Sequence, residues 1–347
     1  MLESNRASLR VMESLVNSTK FKQLVGEDKI VKTKFNSISD RICNINHDYF
    51  EALFQYVFIK FNKELGELKS VSKADSTITG IPRKLLDWGM IAGGTLKSPS
   101  TKSNIKYSMI MKGSLPCGVK VFSTQTYLSE DIALVEAVLD NTHSDNSIVV
   151  IDRGVSSRRG MDKFTDNSKM FIVSARKVRQ LEESKIIKQP KFKAPKESTV
   201  RILTDRVGKL MDKDHVYTKN EFRLIEGEIK ETGEPIYWIT NVLDLSPYEV
   251  ASIYKQRWEI EVFFKFIKQN LNFKHFVSRS ENGVKVMLYM TLITAILLIV
   301  YKKKNKISSY KIAKLKFEIE LDNELTKEIV IFCGGDPAKA PHLFNSS

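Results

Sequence analysis

The apolar positions between residues 68 and 176 follow the pattern of a sheet with a helix inserted between its strands. "LKSVSKADST" alternates, and "IKYSMIMKG" and "GVKVFST" have strand composition, so three strands are predicted first. Ser129 precedes "EDIALVEAVLDN" as an N-cap residue with acidic residues in the first turn, which predicts a helix. "SIVVID" and "MFIVSAR" are short continuous apolar runs, typical of strands buried on both faces. The predicted order is three strands, a helix, a strand and a further strand.

The chain changes character after residue 176. Residues 176–198 hold eight Lys and Arg and two prolines, which predicts a loop with a basic surface over 176–196. Beyond it, "TVRILTD", "EFRLIEGEIK" and "PIYWITNVL" alternate as antiparallel strands do. These patterns predict a mainly β segment between the last apolar strand and the helices that follow.

Helical periodicity dominates both ends of the chain. Residues 1–63 are polar with an amphipathic stretch at "HDYFEALFQYVFIKFNKEL". "DLSPYEVASIYKQRWEIEVFFKFIKQNL" predicts one long helix, with Ser246 as N-cap and Pro247 at its first position. "VMLYMTLITAILLIVYKKK" is apolar, but its uncharged run from Val286 to Tyr301 is shorter than the roughly 20 residues that cross a bilayer. We therefore predict a core helix there.

The charge balance is basic and narrows the choice of partner. The 347 residues include 55 Lys and Arg against 41 Asp and Glu, a net charge of +14, which suits nucleic acid or an anionic membrane surface. Cys43, Cys117 and Cys333 have no metal-ligand spacing and no disulfide pattern, which fits a reducing cytoplasm. The chain has no glycine-rich phosphate loop, so ATP use is not expected.

"YKQRWEIEVFFKFIK" places charged residues in an otherwise apolar, buried-type segment. On one helix at about 100° per residue, Tyr254, Arg257, Glu261 and Lys268 fall within about 60° of arc. Trp258 and the other apolar residues point elsewhere. One explanation is an internal ladder in which Glu261 pairs with Arg257. The other is a carboxylate directed into a cleft, with cationic and hydroxyl neighbours that hold phosphates.

Two aspartates extend the second explanation. Asp75 lies in the first predicted strand and Asp152 ends the buried strand "VVID". Carboxylates at strand ends collect where α/β proteins bind ligands. With Glu261 they would form an oxygen-only site suited to Mg²⁺ or Mn²⁺, and two such ions can cleave a phosphodiester. Asp87 is the alternative to Asp75 as first ligand.

The spacing Y-x-x-R-x-x-x-E-x-x-x-x-x-x-K, from Tyr254 to Lys268, resembles the signature of DDE transposases of the insertion sequence four type. "ADST" and "VIDRG" resemble the segments around that family's two catalytic aspartates, and the resemblance runs from about residue 35 to 300. It implies an α/β fold with an RNase H-like mixed sheet flanked by helices, an all-β insertion and a short helical N-terminal region.

The resemblance also implies a chemistry. Asp75, Asp152 and Glu261 would be the catalytic and metal-binding residues, holding Mg²⁺ or Mn²⁺ as two ions. The side chains implied in DNA binding are Tyr254, Arg257, Lys268, Arg153 and Trp238. A tryptophan of the insertion can stack on a flipped base, or Trp238 can instead pack the insertion's own core. The implied partners are double-stranded transposon-end and target DNA and a second copy in a homodimeric synaptic complex, without a membrane.

The expected organisation has five parts. They are a helical N-terminal region at 1–63, resembling the end of a longer DNA-binding domain, a first core part at 64–180, a β insertion at 181–245, a last core part at 246–302 and a basic, then acidic region at 303–347. The expected function is cut-and-paste transposition with a hairpin intermediate in a bacterial cytoplasm, near the nucleoid. A truncated or domesticated relative that only binds DNA, and a stand-alone RNase H-like nuclease, stay open as alternatives.

Overall fold

The computed structural model describes most of the chain. The described residues are 8–19, 22, 32–66, 71–81, 88–91, 94–95, 98–99, 103–144, 146–155, 157–176, 181–186, 195–212, 214–271, 273, 278, 280–332 and 334–339. Asp87, Cys333 and most of the basic segment at 176–196 lie outside them.

The secondary structure follows the predicted order closely. The helices are α1 (Leu9–Val16), α2 (Phe35–Asn44), α3 (His47–Glu64), α4 (Glu130–Asp140), α5 (Arg158–Asp166), α6 (Pro247–Lys255), α7 (Trp258–Asn270), α8 (Glu281–Lys304) and α9 (Tyr310–Phe332). The strands are β1 (Val71–Gly80), β2 (Met90–Ile91), β3 (Gly94–Thr95), β4 (Ser98–Pro99), β5 (Ser103–Lys112), β6 (Leu115–Phe122), β7 (Ile148–Ile151), β8 (Met170–Ala175), β9 (Leu181–Ile186), β10 (Val200–Leu210), β11 (Phe222–Ile229) and β12 (Pro235–Thr240).

The chain forms two compact units. One comprises Met1–Leu65, Ile81–Asp87 and Phe264–Ser347, and the other Gly66–Gly80 and Trp88–Phe263. We call them the helical unit and the sheet unit.

The large sheet of the sheet unit has the RNase H-like arrangement. Its strands lie in the order β6–β5–β1–β7–β8–β12–β11–β10–β9, and the short β2 also pairs with β5. β1, β5 and β6 are antiparallel, whereas β1, β7 and β8 run parallel. The predicted RNase H-like α/β fold is therefore confirmed.

Two elements between the predicted strands were absent from the sequence interpretation. Helix α5 lies between β7 and β8, because parallel neighbours cannot be joined by a tight turn and need a crossover connection. Its Gly160 weakened the helical pattern. The loop prediction was wrong at residues 181–186, which form β9 at the end of the strand order, paired with β10. Charged residues are common on such edge strands.

The β segment after β8 continues the same sheet. β12 pairs antiparallel with β8, and β11, β10 and β9 follow. Arg223 and Asp205, 2% and 0% exposed, form a two-point ion pair with N–O distances of 2.8 and 2.7 Å. Arg223 also donates to the Leu245 carbonyl at 2.5 Å, so this buried pair fixes the segment that leads into α6.

The helical unit is built around α8, which packs against α2, α3 and α9. Among the described residues, α8 is the helix whose length and composition would allow a membrane crossing, and 72% of its apolar window is buried. A buried core helix meets the same criteria, so α8 agrees with the core helix that the sequence predicts.

Candidate active site

Asp75 and Asp152 lie next to each other on neighbouring strands. β1 and β7 are parallel, and their last paired residues are Ala74 and Ile151. Asp75 follows Ala74 within β1, which continues to Gly80, and Asp152 directly follows the last residue of β7. The two carboxylates are close enough that the charge of Asp152 contributes to raising the pKa of Asp75.

Asp75 lies in an environment that disfavours its charge. The pKa of Asp75 is raised to about 6, mainly by burial, with smaller contributions from the nearby carboxylates of Glu130 and Asp152. A hydrogen bond of 2.8 Å from the Ser76 amide to Oδ1 acts in the opposite direction. Ionised Asp75 therefore lacks enough positive charge around it.

Asp152 has side-chain hydrogen-bond donors close to it, unlike Asp75, whose donor among the described residues is a backbone amide. Its side chain is 47% exposed, and the Tyr254 hydroxyl donates to Oδ1 at 3.4 Å. The Arg257 Nε lies 3.9 Å from the same oxygen. Burial comes first among the causes that raise the pKa of Tyr254, so this hydroxyl stays protonated as a donor at neutral pH.

Arg257 joins Asp152 to Glu261. Its Nη1 donates to Glu261 Oε1 at 2.5 Å, and its side chain is 17% exposed. Burial lowers the pKa of Arg257, but the hydrogen bond to Glu261 and the charge of Asp152 outweigh it and the net direction is upward. Within the part of the chain that the structure describes, its buried Nε has no hydrogen-bond partner. The ladder between Glu261 and Arg257 is thus present, and it also reaches one of the two aspartates.

The predicted single helix is divided into α6 and α7. Gln256 and Arg257 donate to the carbonyls three residues earlier, as do Glu259 and Ile260, so the chain tightens between the two helices. No glycine or proline marks this break. It lies where Tyr254 and Arg257 both reach Asp152, contacts that a sequence pattern does not show. Ser246 and Glu249 form a capping box at the start of α6, which confirms the prediction of Ser246 as N-cap residue.

The apolar face of α7 is buried, with one exception. Ile260, Phe263 and Ile267 are at most 2% exposed, whereas Trp258 is 64% exposed. The prediction that Trp258 is buried was therefore wrong. It is the first residue of α7, where the break turns it away from the apolar stripe.

The remaining predicted residues lie at different depths. Arg153 is exposed in the turn after β7. Lys268 lies in the last turn of α7, in the helical unit, with Nζ 5.1 Å from the centre of the Phe264 ring. Trp238 is 2% exposed, packs in the apolar cluster of β12 and α6, and meets the Tyr254 ring edge-on at 6.2 Å.

Glu130 is an acidic residue near the site that sequence reasoning missed. It begins α4, and its Oε2 accepts from the buried Lys106 at 3.0 Å. Its Oε1 is buried and has no hydrogen-bond partner among the residues that the structure describes. A Cβ at Gly154 would lie 2.6 Å from the Glu130 Cγ, so only glycine lets the turn after Asp152 approach this side chain so closely. An acidic residue in the first turn of a helix is usually explained by its favourable interaction with the helix dipole. No other feature of the sequence indicated that Glu130 lies near the site.

These residues suit a hard divalent cation. The donors are carboxylate oxygens, the ligand type of Mg²⁺ and Mn²⁺. The buried carboxylate of Asp75 and the Glu130 Oε1, which accepts no hydrogen bond from the described residues, are groups that a bound cation would stabilise. The assignment of Asp75, Asp152 and Glu261 as metal ligands nevertheless stays a prediction. Within the described part of the chain, the acidic group whose ligand atoms all lie within 4.8 Å of one another is His47, Asp48 and Glu51, not this set.

The comparisons with known proteins agree with the fold. The family described as "Transposase DDE domain" matches residues 73–297. "Probable transposase for insertion sequence element IS5377" of Geobacillus stearothermophilus is 24% identical over 268 residues, covering 76% of this chain and 66% of that protein. "Putative transposase for insertion sequence element IS4SA" of Synechocystis sp. is 24% identical over 259 residues, covering 71% and 67%. The chain spans about two thirds of the length of these curated relatives.

The RNase H-like sheet thus carries the domain of a known class of DNA-processing proteins. The chain belongs to the transposase DDE domain family, because the match extends over more than half of its length. Membership implies, in general terms, transposition chemistry on DNA with a divalent metal ion.

Asp75 should make the stability of the metal-free protein depend on pH. Its pKa rises from 3.8 to about 6 on folding, so its contribution is complete below about pH 4 and is lost as the pH rises through 6. Asp75→Asn should therefore melt at a higher temperature than the wild type at pH 7.5, by about 2–4 °C per kcal/mol. The difference should shrink near pH 4.5.

Thermal melts at both pH values, in buffer treated with a chelator, measure this effect. Mg²⁺ should stabilise the wild type at pH 7.5 and reduce the advantage of the variant. A difference in melting temperature that is the same at both pH values would contradict the raised pKa of Asp75.

Proposed function

We propose that the protein is a DNA transposase that hydrolyses the terminal phosphodiester of an insertion sequence and transfers the freed strand. The observation that carries this proposal is the position of Asp75 and Asp152, each directly after the last paired residue of the parallel strands β1 and β7, with Arg257 linking Asp152 to Glu261. Family membership supports the same chemistry.

Asp75, Asp152 and Glu261 are the proposed holders of two Mg²⁺ or Mn²⁺ ions. Bound there, the ions would activate the attacking oxygen and neutralise the leaving oxygen. The carboxylates provide the negative charge that fixes such cations, and the neighbouring Glu130 adds to it.

The donors around the carboxylates are proposed to hold phosphates. Tyr254 offers its hydroxyl and Arg257 its guanidinium at the Asp152 side of the site. The Nε of Arg257 lies 3.9 Å from Asp152 Oδ1 and makes no hydrogen bond to the described residues, so we propose that it donates to a phosphate oxygen bound beside Asp152. Arg153, exposed one residue after Asp152, and Lys268, in the last turn of α7, are the other cations that we propose to bind DNA.

Trp238 is proposed to take part in DNA binding through a pocket. A cavity of about 530 Å³ is lined by Trp238, Tyr248, Tyr254, Ser252 and Lys255. Among the described residues the buried Trp238 Nε1 has no hydrogen-bond partner, so we propose that it donates to a group that enters the pocket. Aromatic walls and a free donor suit an unstacked base. At 2% exposure, Trp238 would contact it from the pocket wall.

The proposed reaction is a series of substitutions at phosphorus. Water attacks the phosphorus at the transposon end, the bond to the transposon 3′ oxygen breaks, and a 3′-hydroxyl is released. That hydroxyl attacks the phosphorus on the opposite strand, the bond to the 3′ oxygen of the flanking DNA breaks, and a hairpin forms. Water then opens the hairpin, and the regenerated 3′-hydroxyl attacks a target phosphorus, which releases a 3′-hydroxyl of the target strand. Two copies of the chain would hold the two ends in one synaptic complex.

Excision from a donor plasmid tests the proposal. The gene is supplied in trans to a marker flanked by the inverted repeats found beside it, with wild type and Asp152→Asn compared. Loss of the marker with hairpin ends, in the wild type alone, is expected. Nicking without strand transfer would favour the stand-alone nuclease, and binding without cleavage the DNA-binding relative.

DNA binding should depend steeply on salt through the basic segment 302–316. Lys306, Lys311 and Lys316 are exposed there. If each contacts a phosphate, replacing all three with alanine should reduce the slope of log affinity against log salt by about 2.7. Fluorescence anisotropy on a labelled duplex at several salt concentrations measures the slope.

The control variant carries the same change in net charge. Lys60→Ala, Lys63→Ala and Lys230→Ala remove three exposed lysines elsewhere. Its slope should stay within about one unit of the wild type. Equal changes in the two variants would show that affinity follows net charge rather than this segment.

A further inference from the structure

An ion pair attaches the beginning of α7 to the central strand β1. Lys73 is 1% exposed, and its Nζ donates to Glu259 Oε2 at 2.7 Å and to the Gly113 carbonyl at 2.6 Å. A buried ammonium is costly unless it is paired. Glu259 provides the opposite charge from the first turn of α7.

The two partners are close in sequence to two proposed metal ligands. Lys73 lies two residues before Asp75 on β1, and residues two apart on a strand share a face. Glu259 lies two residues before Glu261 on α7. The ion pair therefore connects the two elements that present Asp75 and Glu261.

A second attachment holds the start of α7. Arg257, immediately before α7, reaches Asp152 at the end of β7 and Glu261 on α7. The start of α7 is thus attached to β1 through Glu259 and to the end of β7 through Arg257.

The break between α6 and α7 makes these attachments necessary. A continuous helix would transmit the direction of α6, whose capping box is well formed, into α7. The tightened turn at Gln256 and Arg257 interrupts that continuity. The direction of α7 then depends on contacts of its own first turn.

We propose that Lys73 and Glu259 are positioning residues that set the distance of Glu261 from Asp75. This inference rests on the proposed function. Stability alone does not account for the charges, since a well-packed apolar pair is often as stable as a buried ion pair. The pair instead fixes one register between β1 and α7, as groups that orient metal ligands do.

Lys73→Met in the full-length protein tests the inference. It leaves Glu259, which is 51% exposed and can be solvated, rather than an unpaired buried cation. We expect a preserved melting temperature, faster hydrogen exchange at residues 258–263, and Mn²⁺ binding weakened by roughly 10-fold in calorimetry. Lys73→Arg, which keeps the charge, should recover most of the affinity.

Asp205→Asn is the matched control. It breaks the more deeply buried pair with Arg223, in β10 and β11. It should speed exchange in those strands but leave α7 exchange and Mn²⁺ affinity unchanged.

Three results would overturn the inference. They are unchanged exchange in α7 of Lys73→Met, faster exchange with unchanged Mn²⁺ affinity, or an equal loss of affinity in Asp205→Asn. Failure of the proposed function looks different, because the wild type itself would then bind no Mn²⁺ that Glu261→Gln removes, and the inference would fail with it.

Discussion

Replacing Glu261 with glutamine should abolish metal-dependent cleavage of a transposon end while the protein stays folded. Glutamine keeps the shape of the side chain but removes the charge that would hold a cation. We expect cleavage to fall on the order of 10³-fold or more, as for residues that act as a unit in catalysis. A strand-cleavage assay on end-labelled duplex with Mg²⁺ or Mn²⁺ measures the loss.

The folded state should tolerate this change because Arg257 keeps a charged neighbour. Asp152 remains 3.9 Å from its Nε, and a glutamine oxygen can still accept from Nη1. Glu261 is 35% exposed, so its loss leaves no fully buried charge. The melting temperature without metal should therefore be unchanged or higher, as repulsion between carboxylates is relieved.

Lys265→Gln provides the control on the same helix, because Lys265 is exposed and outside the proposed site. It should cut DNA like the wild type. A destabilised Glu261→Gln variant that still cleaves would mean that this glutamate only pairs with Arg257, and the catalytic interpretation of α7 would be wrong.

The fold could be predicted from periodicity wherever the burial of a single strand or helix determines the spacing of its apolar residues. Local burial was indicated by the continuous apolar run at residues 148–151 and by the alternation around Asp75. Both segments form strands of the sheet. Helix α5 was missed because its necessity lies in the parallel pairing of β7 and β8, a property of two distant segments. β9 was missed because an edge strand tolerates charge.

The candidate site could be predicted as far as its spacing is local. Arg257 and Glu261 are four residues apart, so their contact followed from helix geometry alone. Lys73, Glu130 and Gly154 could not be found in this way. Their roles depend on approach between elements: Lys73 to α7, and Glu130 to the turn after β7.

The break before α7 shows the same limit. A helical wheel through Tyr254 and Lys268 assumes one continuous helix, and the residues at 256–257 have good helix-forming composition. Contacts with Asp152 hold Tyr254 and Arg257 in a tightened turn instead. The exposure of Trp258 follows from that turn and not from its own hydrophobicity.

Replacing Arg257 with alanine should affect DNA strand transfer and metal binding in opposite directions. The guanidinium lies between Asp152 and Glu261, so its removal leaves two carboxylates with less positive charge nearby. The metal-free protein should melt at a lower temperature, and Mn²⁺ should stabilise it more than it stabilises the wild type. Hairpin formation should nevertheless fall by roughly 10²-fold, the usual cost of losing one donor to a transition-state oxygen.

Arg257→Lys separates charge from geometry. An ammonium restores the positive charge between the carboxylates but cannot reach Asp152, Glu261 and a phosphate with one planar fork. We expect it to recover the metal-free melting temperature and not the hairpin. Lys268→Ala, further along α7, should leave both melting curves unchanged and reduce the hairpin alone, because its Nζ, 5.1 Å from the centre of the Phe264 ring, is proposed to hold DNA and not the ion. Melts with and without Mn²⁺ beside a gel assay for hairpin ends distinguish the three variants. Full hairpin activity in Arg257→Lys would show that the site needs a cation at this position and no guanidinium fork.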